Sequence, residues 1–219
     1  MQPIFAAYFC YMQIVVRASK EQKEEWQNKN AVKNTAVRFI GADEDLFSGE
    51  SDDVYFDLLF AKDKSLAANI DKPVFVHAVA ELLSELPYNY IRINAWNGFL
   101  KREVVEIVAS EKNKAVAVQV MEQLGWKYIF TADIRGMIGA RTISMIINEA
   151  YYVLGDNVST KQEIDTAMKL GTNYPYGPFE WSEKIGLYNI YSLLKSLFVE
   201  DDRYIVAPYL EQEVMFNSF

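Results

Sequence analysis

Cysteine and histidine are almost absent from this chain, and their scarcity excludes several kinds of site. The 219 residues include one cysteine and one histidine. Cys10 cannot form an internal disulfide, so we expect a reducing, cytoplasmic compartment. One cysteine and one histidine cannot build a transition-metal site, and the acidic run at 43–53 lacks the spacing of a calcium loop. We therefore expect no metal.

Basic residues are also in short supply. The chain carries 22 lysines and arginines against 30 acidic residues, which gives a formal net charge of −8. Both the first 135 residues and the remainder are acidic. Phosphate recognition needs clustered lysine and arginine, so nucleic acid and anionic membrane surfaces are not expected partners. The acid-rich stretch 42–53 predicts a solvated loop.

No apolar run is long enough to predict a membrane span. The opening MQPIFAAYFCYMQIVV is apolar but is interrupted by Gln13. It is shorter than the roughly 20 residues that a membrane helix needs, and it has no basic region of the kind that opens a signal peptide. A terminal packing strand, or a start assigned too far upstream, fits this stretch better than a targeting segment does.

The first part of the chain alternates strand-like and helix-like segments. Short runs rich in β-branched and aromatic residues predict strands at 12–18, 36–41, 53–60, 72–79, 89–95, 103–109 and 127–133. Polar or amphipathic stretches predict helices at 20–30 and at 113–125, where Gly125 provides a left-handed stop. This alternation is typical of an α/β domain with a mostly parallel sheet, which we place at 1–134.

Residues 135–219 read as a separate, all-helical domain. Apolar residues recur at helical spacing through 135–154, and Thr160 with Glu163 forms a capping box for the next helix, which we expect to end at Gly171. Pro178 suits the first turn of a further helix. Helices are predicted at 179–185 and 187–199, on either side of Gly186, and at 204–214.

Three stretches of this helical part resemble the C-terminal domain of the 3-hydroxyacyl-CoA dehydrogenase family: DIRGMIGARTISMIINEA at 133–150, EIDTAMKLGTNYPYGPFE at 163–180 and RYIVAPYLEQEV at 203–214. The resemblance implies an N-terminal Rossmann domain for NAD and a helical domain that forms a homodimer. It also implies oxidation of the 3-hydroxyl group of an acyl-CoA, with a histidine as base and a glutamate that orients it.

The residues at the family's catalytic positions only partly fit that chemistry. The family's His-Phe-Phe-Asn-Pro run reads Asn94-Ala95-Trp96-Asn97-Gly98 here, and the expected glutamate is Glu106. An asparagine amide has no useful basicity, so Asn94 cannot take the hydroxyl proton. The family's substrate-binding asparagine falls on Ala140, next to a retained Arg141. Asn94, Asn97 and Arg141 therefore remain as candidate substrate-binding residues, and Glu106 as a candidate catalytic residue.

The cofactor side departs further from the family. There the first strand runs into a G-x-G-x-x-G turn that lets the backbone approach a pyrophosphate. Here the strand runs into RASKEQKEEW, and no glycine precedes Gly41. The acids of that stretch would repel phosphate, and Asp43 or Asp45 is only weak evidence for a ribose contact. The N-terminal part is also shorter than the family's, so some Rossmann elements should be missing. NAD is thus implied by the family but doubtful here.

His77 and two tryptophans have competing interpretations. His77 lies near the end of a predicted strand, where α/β folds place ligands, and is a candidate base paired with Glu106 or Glu81; otherwise it is a packed imidazole. Trp96 and Trp181 fit a core or an interface better than an adenine stack.

Three functional hypotheses follow. The favoured one is a family member without the usual dehydrogenase activity that binds an acyl-CoA-like small molecule, because the base, the substrate asparagine and the glycine turn are lost together. The second is a working NAD-dependent oxidoreductase with rearranged residues. The third is a regulatory or structural interaction module. We also expect a homodimer that buries the helix at 137–154 and the helical pair at 179–199.

Overall fold

A computed structural model describes residues 12–29, 35–47, 52–63 and 71–217. The interpretations that concern Cys10, the opening stretch up to residue 11 and the middle of the acid-rich stretch at 48–51 lie outside these ranges. Within them, a sheet with three helices occupies the first part of the chain, and five further helices follow it.

In the described residues the sheet contains seven strands in the order β2-β1-β3-β4-β5-β6-β7. Their bounds are β1 Met12–Arg17, β2 Thr35–Ile40, β3 Val54–Asp57, β4 Val74–Val76, β5 Tyr90–Ile93, β6 Val104–Val108 and β7 Lys127–Phe130. Among these described strands, the β5–β6 pair is antiparallel and the other pairs are parallel. The predicted mostly parallel sheet is confirmed.

Several strands are shorter than their apolar runs suggested, most clearly β4. The prediction of a strand over 72–79 is wrong beyond Val76, because the carbonyl groups that follow accept from a side chain rather than from a neighbouring strand. The buried guanidinium of Arg92 donates from Nε to the Ala78 oxygen (2.9 Å) and from Nη2 to the Val79 oxygen (3.2 Å). His77 therefore follows the strand instead of belonging to it.

The two faces of the sheet have different covers. One face packs against α1 Lys20–Gln27 and α3 Glu111–Gln123, with Trp26 and Trp126 edge to face at 4.4 Å. The other face, which includes Val15, Tyr55 and Val74, is covered by Leu46, Phe47, Phe60 and Leu86 from loops and a short helix. Among the described residues, the connections from β2 to β3 and from β3 to β4 contain only that helix, α2 Phe60–Asp63.

The acid-rich stretch was predicted to be a solvated loop, and this prediction is wrong for its last residues. Asp52 is buried, and its carboxylate accepts from Arg38 Nη2 at 3.0 Å. Asp53 accepts from the Gln13 amide at 2.9 Å, which connects this stretch to β1. The acids here thus fix the entry into β3 in addition to contributing surface charge.

The helical part contains α4 Gly139–Gly155, α5 Lys161–Thr172, α6 Pro178–Ile185, α7 Leu187–Phe198 and α8 Pro208–Phe216. Helix α4 begins later than predicted because Gly136 and Met137 have φ values of +79° and +48°, which no α-helix accommodates. The capping box of Thr160 and Glu163 and the place of Pro178 in the first turn of α6 are confirmed. The stop at Gly171 is wrong: α5 runs past it, and Asn173 provides the left-handed residue.

The helical core extends into the sheet part of the chain. Val79, Trp96 and Phe99 pack with residues of α4, α6 and α7. Trp96 and Trp181 are each 4% exposed, which confirms their interpretation as core residues. The helices therefore pack directly over the ends of β4 and β5.

Two arginines fix the junction between sheet and helices. Arg92, fully buried, donates to Asp133 at 2.6 Å and to the Ile134 oxygen at 3.1 Å. Arg135 pairs with Glu85 beside the sheet and with Glu200 after α7. The Arg135 guanidinium therefore connects groups from both parts of the chain.

In the part of the chain that the structure describes, no helix has the length and apolar character required to cross a bilayer. The same residues contain no cluster of three or more histidine, cysteine, aspartate or glutamate side chains placed to hold a metal ion.

Candidate functional site

The sheet has one position at which its strand order reverses. From β1 the chain moves outward to β2 on one side, then returns to β3 on the other side of β1. In α/β sheets, ligands bind outside the carboxyl ends of the strands at such a switch point. Here the residues at those ends are Arg17 of β1 and Asp57 of β3, which are direct partners in the strand register.

Arg17 and Asp57 form a buried, two-pronged ion pair at this point. Arg17 Nε donates to Asp57 Oδ1 at 3.0 Å, and Nη2 donates to Oδ2 at 2.7 Å. Asp57 Oδ1 also accepts from the Leu59 amide at 3.1 Å. Parallel, charge-assisted bonds of this kind are among the stronger polar contacts in proteins. The pair therefore occupies the crevice with protein atoms.

Side chains of the turn after β1 also fill the crevice. Arg17, Ser19 and Gln22 have the spacing of the three glycines in a G-x-G-x-x-G turn. The Ser19 hydroxyl accepts from the Gln22 amide and the Gln22 side chain accepts from the Ser19 amide, so α1 is capped by its own residues. Gln22 Nε2 also donates to the carbonyl oxygens of Leu58 and Ala95, both at 2.9 Å.

These residues do not fit a nicotinamide dinucleotide. Its pyrophosphate needs glycines that admit the backbone, and amide groups that are open at the helix start. Here three side chains fill the glycine positions, and the Glu21 carboxylate, which accepts from the Ser19 hydroxyl at 2.9 Å, adds negative charge at that helix start. Asp45, the weak ribose candidate, accepts from the Phe47 amide at 3.0 Å within its own turn.

His77 lies beyond β4 and faces the cleft between sheet and helices. The imidazole is 6% exposed, and its Nδ1 accepts from the Ala95 amide at 3.1 Å. A neutral imidazole that accepts at Nδ1 carries its proton on Nε2. His77 is therefore arranged to donate from Nε2, whereas a base acting through Nε2 would need the other tautomer.

Two cavities meet at His77. The larger, about 380 Å³, lies between the strand ends and α7, and it is lined by both charged and hydroxyl-bearing residues, including Glu81, Arg135 and Ser192. The smaller, about 290 Å³, extends from His77 to Ser19 and Asn97. Together they form a cleft with both polar and apolar walls, and Trp96 lines both parts of it.

The two candidate asparagines have different environments. Asn94 is 1% exposed; its Oδ1 accepts from the Trp96 amide at 3.4 Å, and its Nδ2 has no hydrogen-bond partner within the described residues. Asn97 is half-buried and lines the smaller cavity. The structure thus brings Asn97 and His77 to one cleft and leaves Asn94 enclosed behind it.

Glu106 belongs to a different neighbourhood. Its carboxylate accepts from the Gly139 amide at 2.9 Å and from the Ile138 amide at 3.1 Å, at the start of α4. An acid at this position satisfies helix amides that have no partner within the helix, and it interacts favourably with the helix dipole. The carboxylate is therefore directed at the helix, and the predicted pair of His77 and Glu106 does not form.

Arg141 is occupied on the opposite side of α4. Its Nε donates to the Tyr204 hydroxyl at 2.5 Å, and the guanidinium lies 4.8 Å from the centre of that ring. Ala140 beside it is completely buried. Arg141 thus joins α4 to the segment that precedes α8 and lines none of the cavities described here.

Sequence reasoning missed Arg17, Gln22 and Asp57 as residues of the crevice. A usable signal was present, since positions 17, 19 and 22 have the glycine spacing without the glycines. Nothing in the sequence pointed to Asp57 as the partner of Arg17, because forty residues separate the two.

With this geometry established, comparisons with known proteins agree on one family. Residues 136–218 match the family model for the 3-hydroxyacyl-CoA dehydrogenase C-terminal domain. The 3-hydroxyadipyl-CoA dehydrogenase of Escherichia coli K12 is 38% identical over 122 residues, which are 53% of this chain and 26% of that protein. The 3-hydroxybutyryl-CoA dehydrogenase of Clostridioides difficile is 25% identical over 209 residues, 92% of this chain and 71% of that protein.

A solved structure gives the same answer for the fold. The (S)-3-hydroxybutyryl-CoA dehydrogenase of Ralstonia eutropha superposes with a TM-score of 0.69 over 95% of each chain, at 16% identity. This likeness concerns the fold alone. It confirms the predicted class, a Rossmann-like α/β part followed by an all-helical part.

Residues 136–218 therefore carry the C-terminal domain of the 3-hydroxyacyl-CoA dehydrogenase family, as the sequence resemblance predicted, and the chain as a whole is similar to dehydrogenases of that family. The matched region spans about a quarter of the E. coli relative and about half of the 3-hydroxybutyryl-CoA dehydrogenase of Bradyrhizobium diazoefficiens.

Proposed function

We propose that this protein is a member of the family without the usual NAD-dependent dehydrogenase activity. The observation that carries the proposal is the filled crevice: Arg17, paired with Asp57, and Gln22, bonded to Leu58 and Ala95, stand where a dinucleotide would need glycines. Displacing them would leave a buried carboxylate and two carbonyl oxygens without their partners, at a cost of several kcal/mol.

The catalytic positions support the same proposal. Asn94 stands where the family has its base and cannot accept a proton at neutral pH. His77 is bonded in the tautomer that donates from Nε2, and the Glu106 carboxylate is engaged by the amides of α4. None of the residues Asn94, His77 and Glu106 is therefore held in a state suited to take a hydroxyl proton.

An acyl-CoA-like ligand remains the proposed occupant of the cleft around His77. Relatives of the chain are named as dehydrogenases of 3-hydroxyadipyl-CoA and 3-hydroxybutyryl-CoA, and the cleft is lined by the buried imidazole of His77 and by Asn97. In this proposal both side chains bind a ligand carbonyl, whereas Asn94 and Arg141 position the elements around them. The division into domains at 134 and 135 and a homodimer through the helical domain belong to the same proposal.

A titration of the purified protein with NADH, followed by nucleotide fluorescence, tests the central claim. We expect no saturable binding at concentrations up to about 1 mM, and no NADH consumption with acetoacetyl-CoA. A thermal shift with acetoacetyl-CoA but none with NADH is the expected pattern. Saturable NADH binding together with turnover at an ordinary enzymatic rate would overturn the proposal.

The active-enzyme alternative has one observation in its favour, since His77 lines both cavities of the cleft. It requires that His77→Ala abolish acetoacetyl-CoA-dependent NADH oxidation. Our proposal instead expects the wild-type protein and His77→Ala to be equally inactive, with the substitution reducing only the thermal shift given by acetoacetyl-CoA. An interaction module would show neither response to the thioester.

A further inference from the structure

Arg102 is a half-buried cation without a polar partner in the described part of the chain. Its guanidinium lies flat against Phe99, 3.7 Å from the ring centre, and 5.8 Å from the centre of the Trp181 ring. Its side chain makes no hydrogen bond or ion pair within the described ranges. Burial lowers the pKa of Arg102, and the nearby Glu106 charge only partly opposes that effect. An arginine has five N–H donors, so half-burial without acceptors is costly.

Glu106 does not serve as the missing partner. Glu106 and Arg102 both approach Gly139, but no oxygen of the carboxylate lies within ion-pair distance of the guanidinium, and Glu106 accepts from the amides of Ile138 and Gly139. The carboxylate is thus directed at the helix start. The Arg102 guanidinium therefore has the Phe99 and Trp181 rings on one side and unfilled space on the other.

That open space is a groove of about 620 Å³, the largest of the cavities described here. Its walls are mainly apolar and come from α4, from the segment before α6 and from α6 itself: Ile138, Ile143, Ile146, Tyr174, Pro175 and Trp181. Ile138 is 52% exposed, which is unusual for a branched aliphatic side chain beside a core helix. The groove shares no lining residue with the cleft around His77.

The second cation at the groove is already engaged. Lys101 Nζ donates to the Tyr176 hydroxyl at 3.0 Å, and this bond lowers the pKa of Tyr176. The rim therefore offers one guanidinium with open donors, next to an apolar channel, in a chain of net charge −8. A planar guanidinium presents two parallel donors that match the two oxygens of a carboxylate.

We propose that this groove binds a carboxylate carried on an unbranched apolar chain, with the carboxylate on Arg102 and the chain along α4. A polyphosphate fits less well, because it would need more than one open cation and would gain nothing from the apolar walls. The proposal goes beyond the function proposed above, and the groove has no residue in common with the His77 cleft. It requires that a homodimer through the helical domain leave Ile138, Ile143 and Ile146 accessible. Sources of the ligand are a free fatty carboxylate or the distal carboxylate of a dicarboxylic thioester.

Calorimetric titration of the full chain with octanoate and with 1-octanol tests the proposal. The two probes share a chain, and only octanoate carries a charge. Octanoate should bind, and Arg102→Gln should weaken it about 10- to 100-fold while leaving 1-octanol within about twofold. Ile146→Ser should weaken both probes. Arg203→Gln, which removes a cation outside the groove, is the matched control and should change neither.

Several results would overturn the proposal. These are the absence of octanoate binding at about 1 mM, an affinity for octanoate that Arg102→Gln leaves intact, or equal binding of both probes. Should Arg102→Gln unfold, Arg102→Lys keeps a charge but loses the paired donors, and an unchanged octanoate affinity in that variant would contradict the carboxylate assignment. A homodimer that Ile146→Lys dissociates, in a protein that binds no octanoate, would assign the groove to a second copy instead.

Two further measurements distinguish the two possible ligands of the groove and separate this proposal from the function proposed for the His77 cleft. Adipate semi-thioesters of CoA that compete with octanoate would identify the distal carboxylate as the ligand, and free octanoate binding without such competition would identify the fatty carboxylate. The thermal shift with acetoacetyl-CoA reports on the His77 cleft and should not respond to Arg102→Gln. A loss of one signal with retention of the other therefore shows which proposal has failed.

Discussion

Arg17 and Asp57 end neighbouring parallel strands and meet in a two-pronged ion pair whose side chains are 7% and 3% exposed. The pair lies at the point where the strand order of the sheet reverses, which is where this class of fold places its ligands. The polar groups of the crevice therefore already have hydrogen-bond partners within the protein. A ligand entering it would have to replace contacts that the protein makes with itself.

The ion pair should matter strongly for stability. Replacing Arg17 with methionine leaves the Asp57 carboxylate buried without its cation, and loss of one partner of such a pair costs about 3–5 kcal/mol. Urea unfolding followed by tryptophan fluorescence gives the free energy directly. The double variant Arg17→Met with Asp57→Leu should recover part of the loss, because no charge is then left buried.

The matched control for that experiment is an exposed pair. Arg203 and Asp201 are 63% and 44% exposed and lie 2.9 Å apart, so Arg203→Ala should cost less than about 1 kcal/mol. A similar small cost for Arg17→Met would mean that the crevice is open to water, and the argument against dinucleotide binding would lose its main support.

Two glycines in helices should respond in opposite directions to alanine. A Cβ on Gly171 in α5 would meet nothing within 4 Å, so Gly171→Ala should stabilise the protein by about 0.5–1 kcal/mol through helix propensity. A Cβ on Gly139 would lie 2.6 Å from Glu106 Oε1 and 2.9 Å from both Arg102 and Phe99. Gly139→Ala should therefore destabilise it.

Thermal denaturation of the two variants, measured side by side, checks this pair. A rise in the midpoint for Gly171→Ala and a fall for Gly139→Ala are expected. Equal responses would indicate that the close contact between the start of α4 and Glu106 is not present in solution.

Local signals in the sequence correctly predicted several helix ends. Thr160 with Glu163 gives a capping box that depends on residues three apart, and Pro178 in a first turn depends on its own ring. Gly125, with a φ of +64°, follows α3 as predicted for a residue without a side chain. Each of these features is decided within a few residues, so reading the sequence was sufficient.

The site was less predictable, because its contacts are long-range. The length of β4 depends on Arg92, which lies in the neighbouring strand β5 and whose guanidinium donates to the carbonyl groups of Ala78 and Val79. The tautomer of His77 depends on the amide of Ala95, and the role of Glu106 depends on where α4 begins. Composition and spacing contain no record of these contacts. The place of His77 near a strand end suggested a base paired with Glu106 or Glu81, and the fold does not form the pair with Glu106.

Glu106 should act as a helix cap. Glu106→Ala removes the acceptor for the amides of Ile138 and Gly139 together with a favourable charge at the start of α4, which predicts a loss of about 1–2 kcal/mol in the free energy of unfolding. Urea denaturation measures it. Glu103→Ala, which removes a 75% exposed carboxylate from the same strand region, is the control and should have almost no effect.

If Glu106 were instead a surface carboxylate or the partner of a base, the two variants would unfold alike. That result would contradict the capping role and would favour the alternative in which Glu106 is the partner of a catalytic base.

Glu163 gives the chain a predictable response to acid. A hydrogen bond from the Ser159 hydroxyl, followed by bonds from the amide and hydroxyl of Thr160, holds the pKa of Glu163 below its ordinary value of 4.5. A carboxyl group whose pKa is lower in the folded state stabilises that state above its unfolded pKa, and the contribution disappears as the pH falls through the folded value. The stability difference between wild type and Glu163→Gln should therefore be constant from neutral pH down to about 5 and should shrink below 4.5. Urea unfolding at a series of pH values measures that difference.

The variant Ser159→Ala removes the largest cause of the lowered Glu163 pKa. In that background the stability difference should be smaller at neutral pH and should change less with acid. A difference that is independent of pH would show that the Glu163 carboxylate does not hold the capping box closed in solution.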